Sequence, residues 1–510
     1  MSKNVIEMDN ITKRFGSFTA VDDVTFHLRK GEIHALLGEN GAGKTTLVNV
    51  LFGLYAHEGG TIRINDESAT LNNPNDANDY GIGMVHQHFM LVQNFTVLES
   101  IILGDEPAKG GILNMREARR KVIEISERYK LAIDPDAEIS EITVGQQQRV
   151  EILKMLFREN EILIFDEPTA VLIPQEIDEL MKIMRQLAEE GKSIIFITHK
   201  LNEIQQVADR VTILRKGKHV ATRNVADTSA DEMSELMVGR AVDLQVDKGH
   251  VVRGDIVFSC ENITVKRELS EKNAVHDVSL EVRAGEIVSI AGVDGNGQSE
   301  LVYALTGITP PNEGRIFLNG VDISKFSIRE RTKAGRAHIP EDRQRYGLIL
   351  DYTLANNLVL QTYYEPRFQN HGFMRSGNIL EYADELIDRF DIRSSEGATS
   401  MGRALSGGNQ QKTIVARELD RDADIIIAVQ PVRGLDVGAI EYIHKQLMDQ
   451  REKGKGVLLV SFELDEVMNL SDRILVMYEG EIVADLDPDQ TDERELGLYM
   501  AGKKKEAVNV

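Results

Sequence analysis

The sequence predicts an α/β fold that occurs twice along the chain. Apolar runs of strand length, such as Ile33–Leu37, Ile162–Phe165 and Ser193–Thr198, alternate with stretches of helical periodicity. This alternation indicates a mostly parallel sheet covered by helices. The second half repeats the first, because Gly31-Glu32-Ile33 returns as Gly285-Glu286-Ile287 at an offset of 254 residues. A repeat this long indicates duplicated domains rather than a solenoid.

A glycine-rich loop joins the first of these strands to the helix that follows it. The residues Gly38-Glu39-Asn40-Gly41-Ala42-Gly43-Lys44-Thr45-Thr46 fit the pattern G-x-x-x-x-G-K-[ST]. Glycines let backbone N–H groups turn toward one anion, and a helix expected to begin near Lys44 adds the positive potential of its N-terminus. Lys44 is predicted to reach the outer phosphates of a nucleotide, and Thr45 to ligate Mg²⁺. A glycine turn before an ordinary core helix is the alternative interpretation.

Two further strands are predicted to end in polar residues at the same edge of the sheet. Asp166 and Glu167 follow the apolar run that begins at Ile162, and His199 follows the run at 193–198. Ligands of such sheets bind at the carboxyl ends of the strands. Asp166 is suited to hold Mg²⁺, Glu167 to polarise a water for attack on a γ-phosphate, and His199 to contact that phosphate. Carboxylates at strand ends also cap helices, which is the competing interpretation.

The composition excludes several classes of protein. The chain has 510 residues, and its 82 acidic and 59 basic side chains give a net charge of −23, which disfavours general nucleic-acid binding. Cys260 is the single cysteine, so an intrachain disulfide is excluded. No stretch approaches the ~18 apolar residues of a membrane span, and the first residues lack the apolar core of a signal peptide. If the protein works at a membrane, we expect other chains to supply the spans.

An arginine-rich stretch runs from Arg329 to Arg345 in the second half. Such a stretch is suited to bind RNA, but Glu330, Glu341 and Asp342 are interleaved with its arginines. Mixed charges of this kind are typical of a solvated face. We therefore expect this stretch to be exposed to water and not to bind nucleic acid.

Together these motifs resemble those of the ATP-binding cassette (ABC) ATPases, and the resemblance covers nearly the whole chain. It implies ATP and Mg²⁺ as cofactors. For each half it implies a RecA-like mixed, mostly parallel sheet core with an antiparallel β subdomain and a helical subdomain. The repeat boundaries then place the first cassette at 1–240, a linker at 241–254, the second cassette at 255–502 and a tail at 503–510.

The resemblance also assigns roles within the first cassette. Gly38–Thr46 corresponds to the Walker A motif and Ile162–Glu167 to the Walker B strand. Gln87 corresponds to the Q-loop glutamine, which takes part in catalysis and contacts the metal, and His199 to the switch histidine. Phe15 precedes the loop at a distance where an aromatic ring stacks on adenine. Local packing at a strand edge is an equally good interpretation of Phe15.

The second cassette carries the clearer signature motif but a degenerate glycine loop. Ser406-Gly407-Gly408-Asn409-Gln410 resembles the family signature, with Asn409 in place of the usual glutamine, and Asp436 corresponds to the D-loop aspartate. In the second glycine loop, Gln298 stands where the lysine should be. Further replacements remove the Q-loop glutamine, both Walker B carboxylates and the switch histidine, and the residues now found there are Glu341, Val429, Gln430 and Phe462.

The replaced Walker, Q-loop and switch residues all belong to one of two nucleotide sites, each of which combines residues of both cassettes. In the family, each ATP lies between the Walker motifs of one cassette and the signature of the other. The resemblance therefore implies one hydrolytic site, which pairs the first cassette's Walker residues with the signature at Ser406. The second site is expected not to hydrolyse ATP, and its residues are Gly292, Gly295, Gly297, Gln298, Ser299, Thr143, Gly145 and Gln146.

Tandem cassettes without membrane spans resemble the ATPases of bacterial importers for simple sugars and nucleosides. Gly292–Glu300, Ile339–Arg343 and Gln430–Ala439 look more like the nucleoside branch, and a ribose- or galactose-type importer is the alternative. The implied partners are two integral membrane permease subunits and, indirectly, an extracellular or periplasmic substrate-binding protein or lipoprotein. The implied location is the cytoplasmic face of the cell membrane. The rival class is a soluble tandem-cassette factor acting on ribosomes, which usually has a long charged linker and two competent sites.

Overall fold

The structure is a computed structural model in which the chain forms two compact units, Met1–Val242 and Asp243–Val510. Most of the predicted linker, at 241–247 and 250, lies outside the described residues, as does the end of the predicted tail from 505 onward. The residues that the structure describes are 3–16, 18–86, 90–109, 112–169, 172, 174–240, 248–249, 251–267, 273–293 and 295–504.

Strands and helices alternate along the first unit, as the sequence predicts. Its strands are β1 (Asn4–Phe15), β2 (Phe18–Arg29), β3 (Ile33–Leu37), β4 (Gly59–Ile64), β5 (Glu67–Ser68), β6 (Ile82–Val85), β7 (Ala108–Lys109), β8 (Ile112–Leu113), β9 (Ile162–Asp166), β10 (Ser193–Ile197), β11 (Arg210–Arg215) and β12 (Lys218–Asn224). Its helices are α1 (Lys44–Leu51), α2 (Pro74–Asp79), α3 (Val97–Ile102), α4 (Met115–Arg128), α5 (Val144–Phe157), α6 (Pro174–Glu189), α7 (Leu201–Val207) and α8 (Ala230–Val238).

The second unit repeats this order. Its strands are β13 (Ile256–Lys266), β14 (Asn273–Arg283), β15 (Ile287–Ala291), β16 (Glu313–Leu318), β17 (Val321–Asp322), β18 (Arg336–Ile339), β19 (Gln369–Asn370), β20 (Phe373–Met374), β21 (Ile425–Val429), β22 (Gly456–Val460), β23 (Arg473–Tyr478) and β24 (Glu481–Leu486). Its helices are α9 (Gln298–Thr306), α10 (Ile328–Lys333), α11 (Leu354–Leu358), α12 (Ser376–Arg389), α13 (Gly407–Leu419), α14 (Val437–Glu452), α15 (Leu464–Leu470) and α16 (Glu493–Met500).

A mostly parallel sheet forms the core of the first unit. Within the described residues its strand order is β12-β11-β3-β10-β9-β6, and only the pair β11 and β12 runs antiparallel. Every residue of β3, β9 and β10 is buried, as expected for parallel strands covered on both faces. Because these strands end at one edge of the sheet, the residues after Leu37, Asp166 and Ile197 are brought to the same side.

The second unit has the same architecture, which confirms the predicted α/β duplication. Its larger described sheet has the order β18-β21-β22-β15-β23-β24, with only β23 and β24 antiparallel. Each unit adds an antiparallel sheet, β2-β1-β4-β5 in the first and β14-β13-β16-β17 in the second. The predicted antiparallel β subdomains are these sheets.

The helices agree with the sequence patterns at most boundaries. The helix predicted to begin near Lys44 is α1, and the helix predicted to run through Phe157 is α5. The helix predicted at Arg116–Leu131 is α4, and Asn114 caps it by accepting a hydrogen bond from the N–H of Glu117. No helix within the described ranges is both long and apolar enough to cross a membrane.

The arginine-rich stretch differs from the expected solvated face. Arg331 is only 1% exposed, and Arg336 is also buried. The Arg331 guanidinium donates to four backbone carbonyls, and those of Ala304 and Leu305 lie in the last turn of α9. The prediction that this stretch is exposed is therefore wrong for its central arginines. Arg331 caps the helix that follows the second glycine loop, where the terminal carbonyls lack intrahelical partners.

Replacing Arg331 with methionine is expected to lower the free energy of unfolding by about 3 kcal/mol, because buried carbonyls lose their donor. The matched control is Arg329→Met, since Arg329 belongs to the same helix but is exposed. Because the Arg329 guanidinium donates to the hydroxyl of the exposed Tyr363 at 2.6 Å and not to buried carbonyls, the control is expected to lower the free energy by no more than about 1 kcal/mol. Urea unfolding of both variants measures the difference, and equal effects would contradict the capping role.

Candidate functional site

The glycine loop after β3 adopts conformations that side chains would obstruct. Gly41 and Gly43 have φ values of 82° and 97°, in the left-handed region that favours glycine. A β-carbon on Gly43 would lie 2.6 Å from the carbonyl oxygen of Ala20, and one on Gly38 would overlap the carbonyl of Leu214. In the described structure no side chain caps the first turn of α1. The first backbone N–H groups of α1 therefore face the loop, and no capping side chain competes for them.

The whole predicted loop from Gly38 to Thr46 lies between the end of β3 and the first turn of α1. Ala42 and Lys44 are buried, and Lys44 is only 5% exposed. Its Nζ donates to the carbonyl oxygens of Gly38 at 2.6 Å and Glu39 at 3.2 Å. Burial lowers the pKa of Lys44, and the nearby Glu167 and Asp166 oppose that shift. The lysine is therefore positioned inside the loop, where phosphate oxygens bind in loops of this pattern.

Asp166 ends β9 beside the loop and is 2% exposed. Burial raises the pKa of Asp166 to about 6, helped by the charge of Glu167 and opposed by Lys44 and a hydrogen bond with Thr45. Its Oδ1 has no hydrogen-bond partner among the described residues. A buried carboxylate oxygen without a partner, beside a threonine hydroxyl, matches the oxygen ligands that Mg²⁺ prefers.

Protein side chains alone do not complete a metal site here. Within the part of the chain that the structure describes, no group of three or more His, Cys, Asp or Glu side chains is placed to hold a metal ion. Mg²⁺ usually binds through one or two protein oxygens, with water and substrate phosphates as its other ligands. Thr45 and Asp166 fit that incomplete set.

Glu167 and His199 form the second polar pair at this edge. The Nδ1 of His199 lies 3.3 Å from Oε1 of Glu167. Burial favours a higher pKa for Glu167, but the contact with His199 and the charge of Lys44 outweigh it, and the pKa is lowered. Glu167 thus stays ionised and able to accept a proton. Its backbone is left-handed, with φ of 48°, and its N–H donates to the carbonyl of Ile197 at 3.0 Å.

Two further residues of this unit are predicted to take part in the site, Gln87 and Phe15. Gln87 falls outside the described residues. Phe15 ends β1 and is 45% exposed. Its ring packs edge-on against Tyr55 at a centroid distance of 5.2 Å, and the Nζ of Lys13 lies 5.3 Å from its centroid. The ring is both locally packed and open to a ligand, so both interpretations of Phe15 stay open.

The second glycine loop keeps the backbone of the first. Gly295 and Gly297 have φ values of 86° and 102°, and a β-carbon on Gly292 would overlap the carbonyl of Met477 or the side chain of Gln298. Gln298 is 2% exposed and donates from Nε2 to the carbonyl of Val293 at 3.1 Å. The side chain thus occupies the inside of the loop, as Lys44 does in the first unit, but carries no charge.

A carboxylate takes part in the second loop from an unexpected position. Ser299, the residue after Gln298, donates to Oε2 of Glu341 at 3.4 Å. Arg433 donates to the other oxygen of Glu341 at 2.5 Å. The sequence identified Glu341 only as a replacement for the Q-loop glutamine, and gave no signal for Arg433. The two side chains are 92 residues apart in the sequence, and both are charged, so no local hydrophobic pattern predicts their contact.

The two signature segments differ at the start of their helices. Thr143 and Gln146 form a capping box on α5, because the Thr143 hydroxyl accepts from the N–H of Gln146 at 3.3 Å and the N–H of Thr143 donates to Gln146 Oε1 at 2.9 Å. Ser406 is the N-cap of α13, but within the described structure its side chain makes no capping bond to that helix. Its hydroxyl accepts instead from Nδ2 of Asn409 at 2.9 Å.

The remaining signature residues lie in the first turn of α13, and the D-loop aspartate caps the next helix. Gly407 and Gly408 begin α13, and Gln410 is buried and donates to the carbonyl of Gly402 at 3.1 Å. Asp436 is the N-cap of α14 and accepts from the N–H of Ala439 at 2.7 Å. Asp436 therefore has a structural partner of its own.

Known proteins resemble this chain over nearly its whole length. Residues 21–170 and 275–432 match the family described as ABC transporter. The chain is 55% identical over 504 residues to the guanosine import ATP-binding protein NupO of Bacillus subtilis (strain 168), covering 99% of this chain and 98% of that protein. It is 52% identical over 501 residues to the nucleoside import ATP-binding protein NupA of Lactococcus lactis subsp. cremoris (strain MG1363), covering 98% and 99%.

Solved structures also align with both units, and an archaeal complex is an example. It is the complex of the archaeal ribosomal stalk protein aP1 and the archaeal ribosome recycling factor aABCE1, with a TM-score of 0.63 at 20% identity. The match covers 97% of this chain and 92% of that one, and at this identity it shows the fold alone. From the family match and the full-length relatives, the chain belongs to the ABC transporter family and carries two of its ATP-binding cassettes in tandem.

Proposed function

We propose that this protein is the ATP-hydrolysing subunit of a membrane importer for nucleosides. The observation that carries the proposal is the group of Lys44, Asp166, Glu167 and His199 at one sheet edge of the first unit. The chain that holds this group is more than half identical to ATP-binding proteins of guanosine and nucleoside import. The names of both relatives refer to nucleoside import, which favours nucleosides over ribose- or galactose-type sugars as the substrate class.

The proposed chemistry assigns one task to each group. The amides of the first glycine loop and Lys44 bind the phosphates of ATP. Glu167, ionised and held by His199, orients a water molecule and accepts its proton. Thr45, Asp166 and Gln87 would hold Mg²⁺, which when bound neutralises charge on the outer phosphates.

We propose that only the first cassette's Walker residues support turnover, paired with Ser406 and the residues after it. The second glycine loop can still hold a nucleotide through its amides and Ser299. It lacks the lysine, the carboxylates and the histidine that the first loop has nearby. Without those groups water is not oriented for attack, so nucleotide bound at the second loop is not hydrolysed.

The proposed partners are two integral membrane permease subunits, which would contribute the spans and bind the ATPase at the cytoplasmic face. An extracellular or periplasmic substrate-binding protein or lipoprotein would deliver the nucleoside. The substrate itself then never meets this chain. A ribosome-associated factor is the rival class, and its support is a likeness of fold. Identity above half over the full chain favours the importer.

Replacing Glu167 with glutamine is expected to lower steady-state ATP turnover by at least ~100-fold, because the proton acceptor is lost. ATP should remain bound, since Lys44 and the loop amides are unchanged. Phosphate release and nucleotide retention in the membrane complex measure the two effects. Gln430→Glu is the matched variant in the second unit, and it should leave turnover unchanged. Near-normal hydrolysis by Glu167→Gln would refute the assignment of the base.

Import is expected when the chain and its permease subunits are reconstituted in vesicles that contain ATP, with the substrate-binding protein present outside. The measurement is uptake of radiolabelled guanosine against radiolabelled ribose, with Lys44→Ala as the inactive control. The ATPase rate of the chain should rise on assembly, because permease subunits that bind the ATP-bound form of the chain better than the ATP-free form favour the form that hydrolyses ATP. Uptake of ribose without guanosine would support the sugar alternative, and co-purification with ribosomes instead of membranes the rival class.

Replacing Gln298 with lysine is expected to tighten nucleotide binding to the second unit, because a positive charge returns to a loop that faces phosphates. Phosphate release should not increase, since Val429, Gln430 and Phe462 still lack the groups that activate water. Nucleotide titration and a turnover assay on the same preparation separate binding from chemistry. A second hydrolysis event per chain would contradict the asymmetric assignment.

A further inference from the structure

A buried carboxylate lies close to the turn that carries His199 in the first unit. Glu203 belongs to the first turn of α7, the helix that begins two residues after His199, and it is 5% exposed. Its Oε2 accepts a hydrogen bond from the hydroxyl of Thr198 at 2.9 Å. Carboxylates are rarely buried unless hydrogen bonds or opposite charges compensate them. The position of Glu203 therefore points to a task within the site.

The turn between β10 and α7 is attached to the rest of the unit on two sides. The carbonyl of Ile197 accepts from the N–H of Glu167 at 3.0 Å, which joins the turn to the end of β9. The hydroxyl of Thr198, the next residue, donates to Glu203 and joins the turn to α7. His199 follows directly in the sequence, so its backbone position depends on both attachments.

The ring of His199 depends on this turn because little else holds it. Its side chain is 37% exposed, so packing alone does not fix the ring. Its Nδ1 lies 3.3 Å from Oε1 of Glu167. This contact is longer than the usual N–H···O distance of about 2.9 Å, so a small shift of the turn would break it.

Glu203 also interacts with the turn that follows β9. Burial raises the pKa of Glu203, and the charge of Lys200 and the hydroxyls of Thr169 and Thr198 oppose that rise. Thr169 is the second residue after Glu167 and is itself buried. The carboxylate is therefore in contact with both of the turns that carry the polar pair.

The second unit keeps the glutamate but not these contacts. The repeat offset of 263 residues relates Glu203 to Glu466, which is buried in the first turn of α15. Oε1 of Glu466 lies 3.2 Å from Nε2 of His444, a residue of α14. Val432 stands where the first unit has Thr169. The fold thus accepts a buried glutamate here without a bond to the turn, and the bond to the turn is found in the unit that has the histidine.

We propose that Glu203 is a positioning residue for ATP hydrolysis, which holds His199 against Glu167 through the hydroxyl of Thr198. The inference rests on the roles in hydrolysis that are proposed above for Glu167 and His199. Glu203 touches no reacting atom. It keeps the proton acceptor and the histidine within reach of each other, and a misplacement of about 1 Å in such a site lowers the rate by up to about 100-fold.

The kinetic test compares Glu203→Met with Glu466→Met in the full chain assembled with its permease subunits. Methionine has a similar length but cannot accept the hydrogen bond from Thr198. Glu203→Met is expected to lower kcat about tenfold and to leave KM for ATP within about twofold, since the glycine loop is unchanged. Glu466→Met removes an equally buried carboxylate from the first turn of α15 and should change neither constant. Thr198→Val should act like Glu203→Met, and Thr198→Ser, which keeps the hydroxyl, should restore most of the rate.

An NMR measurement reports on the same contact without turnover. With isotope-labelled histidine side chains, the signal of His199 is identified by its loss in His199→Ala. Glu203→Met and Thr198→Val should move this signal in the direction in which Glu167→Gln moves it, because all three remove or weaken the same contact. Glu466→Met should leave the signal in place.

Two results would overturn the proposal. One is a His199 signal that moves in neither Glu203→Met nor Thr198→Val, and the other is a fall in kcat that Glu466→Met shows equally. Thermal unfolding checks the fold of each variant, and the Thr198 variants decide the question if Glu203→Met does not fold. If the unaltered complex did not hydrolyse ATP, the proposed function would fail, whereas the NMR comparison would still test the contact.

Discussion

The buried lysine of the first glycine loop determines which charges the surrounding residues can carry. Lys44 interacts with Asp166 and Glu167 inside the unit, and burying one of these charges without its opposite would cost several kcal/mol. The three charges stabilise one another, and loss of one leaves the remaining buried charges unbalanced. The second unit has lost all three charges together, and the buried residues at these positions are Gln298, Val429 and Gln430. The degeneration is therefore electrostatically consistent rather than a scatter of independent changes.

The backbone around the lost charges has not changed with them. Glu167 and Gln430 both follow a buried strand in the left-handed conformation, with φ of 48° and 47°. Each N–H donates to the strand alongside, at 3.0 Å to Ile197 and 2.8 Å to Val460. A non-glycine residue in this region costs about 1 kcal/mol or more. This conformational cost is also present at Gln430, where no carboxylate has to be positioned. The turn is therefore a feature of the sheet itself, and the chemistry depends on the side chain at that position.

Local patterns were enough to predict the elements that carry the first site. The buried strand Ile33–Leu37, the glycine loop and the helix after it form a continuous stretch, so each supports the others in the sequence. Contacts between distant segments were not predictable in this way. Arg331 was expected in water because its neighbours are charged, yet it reaches the carbonyls of α9. Tyr55 beside Phe15 and Arg433 beside Glu341 likewise depend on tertiary packing.

The two signature helices show stability and ligand binding competing for the same N–H groups. A side-chain cap stabilises a helix by about 1 kcal/mol, and α5 has one while Ser406 provides none for α13 within the described chain. The N–H of Gln146, from which the Thr143 hydroxyl accepts, cannot bind a phosphate without losing that stabilisation. Under the proposed asymmetric assignment, the cap on α5 is a gain in local stability at a helix that does not have to bind phosphate. The uncapped α13 is the reverse case, in which a local rule is broken where, in the proposed function, a bound phosphate would supply the missing partner.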